Sequence, residues 1–261
     1  MKVVIFCGGL GTRLRENSET TPKPLVHIGY RPIVWHLMRY YAYHGHKDFI
    51  LCLGYRGDML KDYFLNYRET DSNDFTMREG GKVIEHHATD IDDWNITFAE
   101  TGLHSNLGQR LLAVKDLVKD EEMFLANYSD GLSDIPINAM IDEFKAKDAV
   151  ASFAAVRTWQ SFHAAKFDDE QYVSSLGELT DKDFWINGGF FVMNNGIFDV
   201  LHDGEELVEE PFGRLIEQRK LLAYPHNGYW RAMDTFKDKI SFERDYARGN
   251  APWEIWNKPS N

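Results

Sequence analysis

Short apolar runs that stop at turn residues, alternating with helical patterns, constrain this chain more than any other feature. Val3 to Cys7 is a continuous apolar run ending at Gly8-Gly9. A strand covered on both faces reads this way, and such strands belong to parallel sheets. Pro32 then opens a helical pattern, IVWHLMRYYAYHG, with Pro in the first turn and Gly45 as the stop. DFILCLGY reads as a second buried strand, DMLKDYFLNY as a helix and WNITFAET as a strand. Leu107 to Val118 is helical in pattern and leads to a further strand, MFLANYSD. The alternation predicts βαβ units with right-handed crossovers, and hence an α/β fold on a doubly wound, mostly parallel, Rossmann-like sheet.

The second half is less regular. The helix INAMIDEFKAK is followed by VASFAAV, strand-like pieces at AAKF and YVSSL, and WINGGFFVMN. Together these point to a small β-rich insertion beside the main sheet. FKDKISFERDYARG reads as a helix closing at Gly249. No repeat and no low-complexity linker interrupts the chain, so residues 1–261 are expected to form a single domain with a cleft between sheet edge and insertion.

Charge narrows the partners. The net charge is −12, and so acidic a surface repels phosphate backbones and anionic lipid, which argues against nucleic acid and membrane. Residues 1–40 nevertheless carry six basic side chains and two acidic ones. Their positive charge is read as surrounding one loop suited to a triphosphate. Cys7 and Cys52 each sit inside an apolar run and read as reduced core residues. No run reaches the ~20 apolar residues that span a bilayer, and Met1 leads straight into a strand with no signal-peptide pattern. A cytoplasmic protein is expected.

The turn after the first strand reads Gly8-Gly9-Leu10-Gly11-Thr12-Arg13-Leu14. Three glycines let a backbone approach a ligand, and successive N–H groups can cradle phosphate oxygens. Leu14 stands where a dinucleotide fingerprint needs Gly or Ala, and no Gly-Lys-Ser/Thr follows at P-loop spacing. A dinucleotide oxidoreductase is thereby excluded. Arg13 offers a planar fork to phosphate and Lys23 a point charge. A surface ion pair of Arg13 with Glu16 or Glu19 is the lesser alternative to a phosphate contact, given the loop; Lys23, between Pro22 and Pro24, is poorly placed for a solvated helix lysine.

GGLGTRL followed by PKPL resembles the signature of sugar-1-phosphate nucleotidylyltransferases. IVWHLMRYYAYHGHKDFILCLGY, WNITFAETG, INGGFFVMN, the Met233-Asp234-Thr235 step and the ending APWEIWN resemble the glucose-1-phosphate cytidylyltransferases among them. The likeness runs over nearly the whole chain and is weakest at about Val156 to Trp185. It implies the nucleotide-diphospho-sugar transferase type of fold, with a nucleotide-binding half (1–155), a sugar-binding half (156–235) and a C-terminal helix and tail (236–261). The implied reaction joins CTP to a sugar 1-phosphate, giving CDP-sugar and pyrophosphate, in a cytoplasmic homo-oligomer that supplies sugar nucleotides for polysaccharide.

By the same resemblance Arg13, Lys23 and Asp130 are catalytic, and Phe6, Gly8, Gly9, Leu10, Gly11 and Thr12 hold the nucleotide with them. Thr101, Gly102, Gly108 and Arg110 match the family's base- and phosphate-binding stretch; Arg110 reads equally as a solvated helix residue. Magnesium is implied at Asp130 and Asp234, two carboxylates being sufficient when phosphate and water complete the shell. Asp130 also suits a plain turn. Gly131, Asn187, Gly188 and Asp234 are implied at the sugar, although Gly-Gly is equally apt for a β-bulge. One departure stands out. Where the family has a Glu-Lys-Pro step whose lysine meets the sugar phosphate, this chain has Gly177-Glu178-Leu179. Either Lys166 or Lys182 substitutes, or the acceptor differs, or the chain is a catalytically weak nucleotide-binding homologue. His86-His87 is set aside, since neighbours on a strand face opposite ways. Trp253 and Trp256 read as packing or a subunit contact.

Overall fold

The computed structural model describes residues 1–9, 21–157, 163–168, 171–178 and 184–257. Seven strands form the central sheet: β1 (Lys2–Phe6), β2 (Asp48–Leu53), β3 (Asn95–Glu100), β4 (Met123–Tyr128), β5 (Ala151–Val156), β6 (Ile186–Asn194) and β7 (Leu221–His226). Their order is β7-β5-β6-β4-β1-β2-β3. All neighbours are parallel except β6, which runs antiparallel to both β4 and β5.

The continuous apolar runs have the expected cause, a core on each face. Val3 and Ile5 of β1 join one cluster, with residues of α1 (Ile33–Tyr43), α2 (Gly57–Leu65), α5 (Ile137–Lys145) and α8 (Phe236–Ala247). Val4 and Phe6 join the other, with residues of α3 (Leu107–Ala113), α4 (Lys115–Val118), α6 (Ile197–Val200) and α7 (Glu210–Glu217). Because strand neighbours point to opposite faces, each run must be apolar throughout. Gly45 and Gly249 adopt φ of +89° and +64° just past α1 and α8, as stop signals should. Cys7 and Cys52 are buried free thiols. Trp253 is buried against His36, Tyr229 and Phe242, so the C-terminal segment is anchored by packing. Among the described residues no helix is long and apolar enough to cross a membrane.

Three features depart from the sequence reading. VASFAAV and INGGFFVMN do not belong to an insertion: they are β5 and β6, buried on both faces inside the central sheet. The hairpin of His163–Phe167 with Val173–Glu178 is what stands apart as a separate two-stranded sheet. The helical stretch 107–118 is two helices that meet at Val114, which caps the first and precedes the second.

Candidate active site

From β1 the chain moves outward through β2 to β3, then returns to place β4 on the other side of β1. In open α/β sheets ligands bind outside the carboxyl ends of the strands at such a reversal. A cleft of about 480 Å³ opens there. Phe6, Gly8 and Gly9 reach it from β1, and Tyr128, Ser129 and Asp130 from β4. Lys23, Pro24 and Asp234 line one side, and Leu103 to Leu107, Arg110 and Glu206 complete the walls.

Lys23 opens a single helical turn, Lys23–Leu25, whose Pro24 and Leu25 are buried. Two flanking prolines fix the backbone, and Leu25 fastens the turn to the core. Asp130 lies in the tight turn between β4 and the short strand Gly131–Ser133. That strand pairs with Trp230–Ala232, and the Met233 N–H donates to the Asp130 carbonyl at 2.8 Å. The pairing sets Asp234 beside Asp130 although 104 positions separate them. Both carboxylates converge on one ammonium: Lys23 Nζ donates to Asp130 Oδ2 at 2.5 Å and to Asp234 Oδ1 at 2.8 Å. Burial lowers the Lys23 pKa, but the two carboxylates outweigh it and hold the ammonium above its usual value.

Arg110 is not a solvated helix residue. It is 4% exposed, and its guanidinium donates to the Leu53 carbonyl and Thr101 hydroxyl at 2.8 Å and to the Gly8 and Gly102 carbonyls at 3.0 Å. It therefore ties together the segments leaving β1, β2 and β3. A Cβ at Gly8 or Gly54 would collide with this guanidinium. Gly8 thus makes room for Arg110, a constraint quite apart from any ligand. Gly108 has a similar role, because a Cβ there would meet the Glu205 carbonyl.

Of the residues singled out from sequence, Phe6, Gly8, Gly9, Lys23, Arg110, Asp130 and Asp234 line the cleft. Thr101, Gly102, Gly108, Gly131, Asn187 and Gly188 are not among its lining residues. The Asn187 carboxamide donates to the Tyr128 hydroxyl at 3.2 Å and accepts from the Gly189 N–H at 2.9 Å. The Gly188 carbonyl accepts from the Trp230 indole at 2.8 Å. Gly189 itself has φ of +77° and abuts the Tyr128 ring. Leu10, Gly11, Thr12, Arg13 and Lys182 lie outside the described residues, as do the side chains of Lys166 and Glu178.

The charge reading needs correction. Arg31 is buried with Asp90, Ser72 and the Arg68 carbonyl; Arg39 donates to the Asp90 carbonyl, and Lys2 pairs with Glu121. Among the described basic residues of the first forty, Lys23 alone faces the cleft. Sequence reasoning also passed over Tyr128, Ser129 and Glu206, and named individually only the ends of the 101–110 stretch that carries His104 to Leu107. The first two sit within the strand-end motif around Asp130, whereas Glu206 lies in an acidic run with no local signal.

Residues 2–248 match the family model described as nucleotidyl transferase. The chain is 41% identical over 257 residues to a glucose-1-phosphate cytidylyltransferase of Salmonella typhi, covering 98% of this chain and 100% of the relative. It is 38% identical over 258 residues to a probable glucose-1-phosphate cytidylyltransferase of Bacillus subtilis, again over 98% and 100%. Solved structures share the fold at lower identity. A putative glucose-1-phosphate thymidylyltransferase of Bacillus anthracis superposes with a TM-score of 0.67 at 16% identity, over 100% of this chain and 98% of that one. The HddC protein of Yersinia pseudotuberculosis superposes with a TM-score of 0.63 at 20% identity, over 94% and 99%. With its cleft at the strand reversal, its paired aspartates and this likeness along nearly its full length, the chain belongs to the nucleotidyl transferase family.

Proposed function

We propose that this chain transfers a cytidylyl group from CTP to a sugar 1-phosphate, glucose 1-phosphate being the first candidate. The convergence of Lys23, Asp130 and Asp234 in the cleft at the strand reversal carries the reading. An oxygen of the acceptor phosphate attacks the α-phosphorus, the bond to the bridging oxygen breaks, and pyrophosphate leaves. Both reactants are anions, so the protein's work is charge neutralisation and alignment.

The two carboxylates suit a magnesium ion: both already reach one cationic point, and oxygen donors are what that ion prefers. Bound there it would neutralise charge on the nucleotide phosphates. Lys23, once released from one or both carboxylates, would turn its ammonium to the reacting phosphates, and its rigid Pro-flanked turn limits how far it can stray. Backbone at Gly8 and Gly9, continuing through Leu10 to Arg13, would hold the triphosphate. Residues 1–155 would then supply most of the nucleotide site and 156–235 most of the sugar site, with Asp234 reaching across to the nucleotide phosphates.

A second reading, a nucleotide-binding homologue of weak activity, draws on Glu178, which ends the strand Val173–Glu178 where a sugar-phosphate lysine is expected. Incubation with CTP, magnesium and a panel of sugar phosphates, with pyrophosphate as readout, separates the two. Release with one acceptor supports transfer. CTP binding without release for any acceptor refutes it in favour of the second reading.

A further inference from the structure

Three carboxylates line the cleft, and two of them, Asp130 and Asp234, hold Lys23. The third, Glu206, has no such partner. It is half-buried, and its carboxylate accepts from two backbone groups, the Leu207 N–H at 3.2 Å and the Leu107 N–H at the start of α3. It forms no ion pair among the described residues, whereas neighbouring Glu205 is engaged by Arg214. Burial, with Glu209 and Glu210 nearby, holds the Glu206 carboxyl above its usual range. Two backbone donors leave part of its acceptor capacity open, and a poorly solvated carboxylate with no cation among the described residues can take a further donor from a ligand.

Its position says which part of a ligand would bring that donor. Leu25 and Met233, beside Lys23 and Asp234, belong to the core on one face of the sheet. Leu107 and Leu207, beside Glu206, belong to the core on the other. A nucleotide with its phosphates at the Lys23 cluster would therefore cross the carboxyl edge of the sheet to reach Glu206. Phosphate at Glu206 would be repelled, so the far end of the nucleotide must lie there. Nearby Asn106 has its carboxamide committed: the oxygen accepts from the Gln109 N–H, and the nitrogen donates to the Gly204 carbonyl. Gly108 lets the loop bearing Glu206 close onto α3.

On the reading that CTP is the nucleotide, we propose that Glu206 accepts the exocyclic amino group of cytosine and so selects CTP over UTP. Uracil carries a carbonyl at that position, which an acceptor-only carboxylate repels. A site built to bond an N–H strongly disfavours the analogue that lacks it.

The test compares CTP, UTP and dCTP on wild type, Glu206→Gln and Glu206→Ala, by calorimetric binding with magnesium and by kcat/KM for pyrophosphate release. Glutamine keeps an oxygen for Leu207 and can turn its NH2 toward a uracil carbonyl. The expected result is a fall of at least tenfold in the CTP-over-UTP ratio in Glu206→Gln, with dCTP and CTP affected alike. Circular dichroism checks that the variants fold. An unchanged CTP-over-UTP ratio in folded Glu206→Gln overturns the assignment while leaving cytidylyl transfer intact. Loss of the CTP-over-dCTP preference alone would move Glu206 to the ribose, and also overturns it. Wild-type protein that binds no CTP refutes the underlying function.

Discussion

Replacing Arg110 by methionine separates a clamp from a ligand contact. Methionine fills much of the volume but donates nothing, so the Gly8 and Gly102 carbonyls lose the bonds that Arg110 makes at 3.0 Å. Leu53 fares better, because the Thr101 hydroxyl still donates to its carbonyl at 2.7 Å. The buried Gly8 acceptor costs about 1–3 kcal/mol and the lost bond to exposed Gly102 about 0.5–1.5 kcal/mol, and release of the guanidinium's own desolvation cost pulls the net to about 2 kcal/mol. For a chain of this size about 2 kcal/mol lowers Tm by about 4–8 °C, readable by scanning calorimetry and urea unfolding. CTP affinity should fall as well, because the loop after β1 loses its tether. Gly8→Ala attacks the same contact from the other side and should be comparably unstable, since its Cβ meets the guanidinium. An Arg110→Met protein with unaltered Tm but lost CTP binding would sink the clamp and restore Arg110 as a nucleotide contact.

Asp130→Ala and Asp234→Ala should each abolish pyrophosphate release, and Lys23→Ala should lower kcat by about 10²–10³-fold, the usual cost of losing one transition-state charge contact. Near-normal rates for either aspartate variant would refute the paired site. Acid should weaken the fold: burial lowers the His36 pKa from 6.5 to about 4. The unfolded chain then takes up the proton first, so stability is constant above pH 6.5 and falls by roughly 3 kcal/mol on the way to pH 4. Urea midpoints across that range measure the slope, and His36→Gln should flatten it; an equal slope in the variant would count against this account. Burial raises both thiols, Cys52 to about 12 and Cys7 well above its usual value, so neither should react with a thiol reagent at neutral pH until the chain unfolds. Rapid labelling of native protein would contradict this.

Much of the fold was legible because strands with a core on both faces leave long apolar runs, and helices leave stop glycines such as Gly45 and Gly249. The failures have local causes. β5 and β6 were assigned to an insertion because they follow a break in the helix-strand alternation, and antiparallel placement leaves no local mark. β7 escaped notice as an edge strand of half-buried residues interrupted by Pro225. The glycine loop was legible as a turn, but only the packing shows that Gly8 is reserved for Arg110.

Lys23, Asp130 and Asp234 were each conspicuous in sequence for a local reason: a lysine between prolines, an aspartate at a strand end, an aspartate in a motif. Composition and pattern alone determined the α/β class, the reduced buried cysteines and the strand end at which to look for chemistry. Only the tertiary structure decided which charges meet. It withdrew Arg31 and Arg39 into a network around Asp90, buried Arg110 among three strand ends, and left Glu206 facing the cleft with no cation on it among the described residues. Side-chain polarity is a property of the residue, but whether a charge meets a partner depends on segments a hundred or more positions away, and the sheet order brings those together.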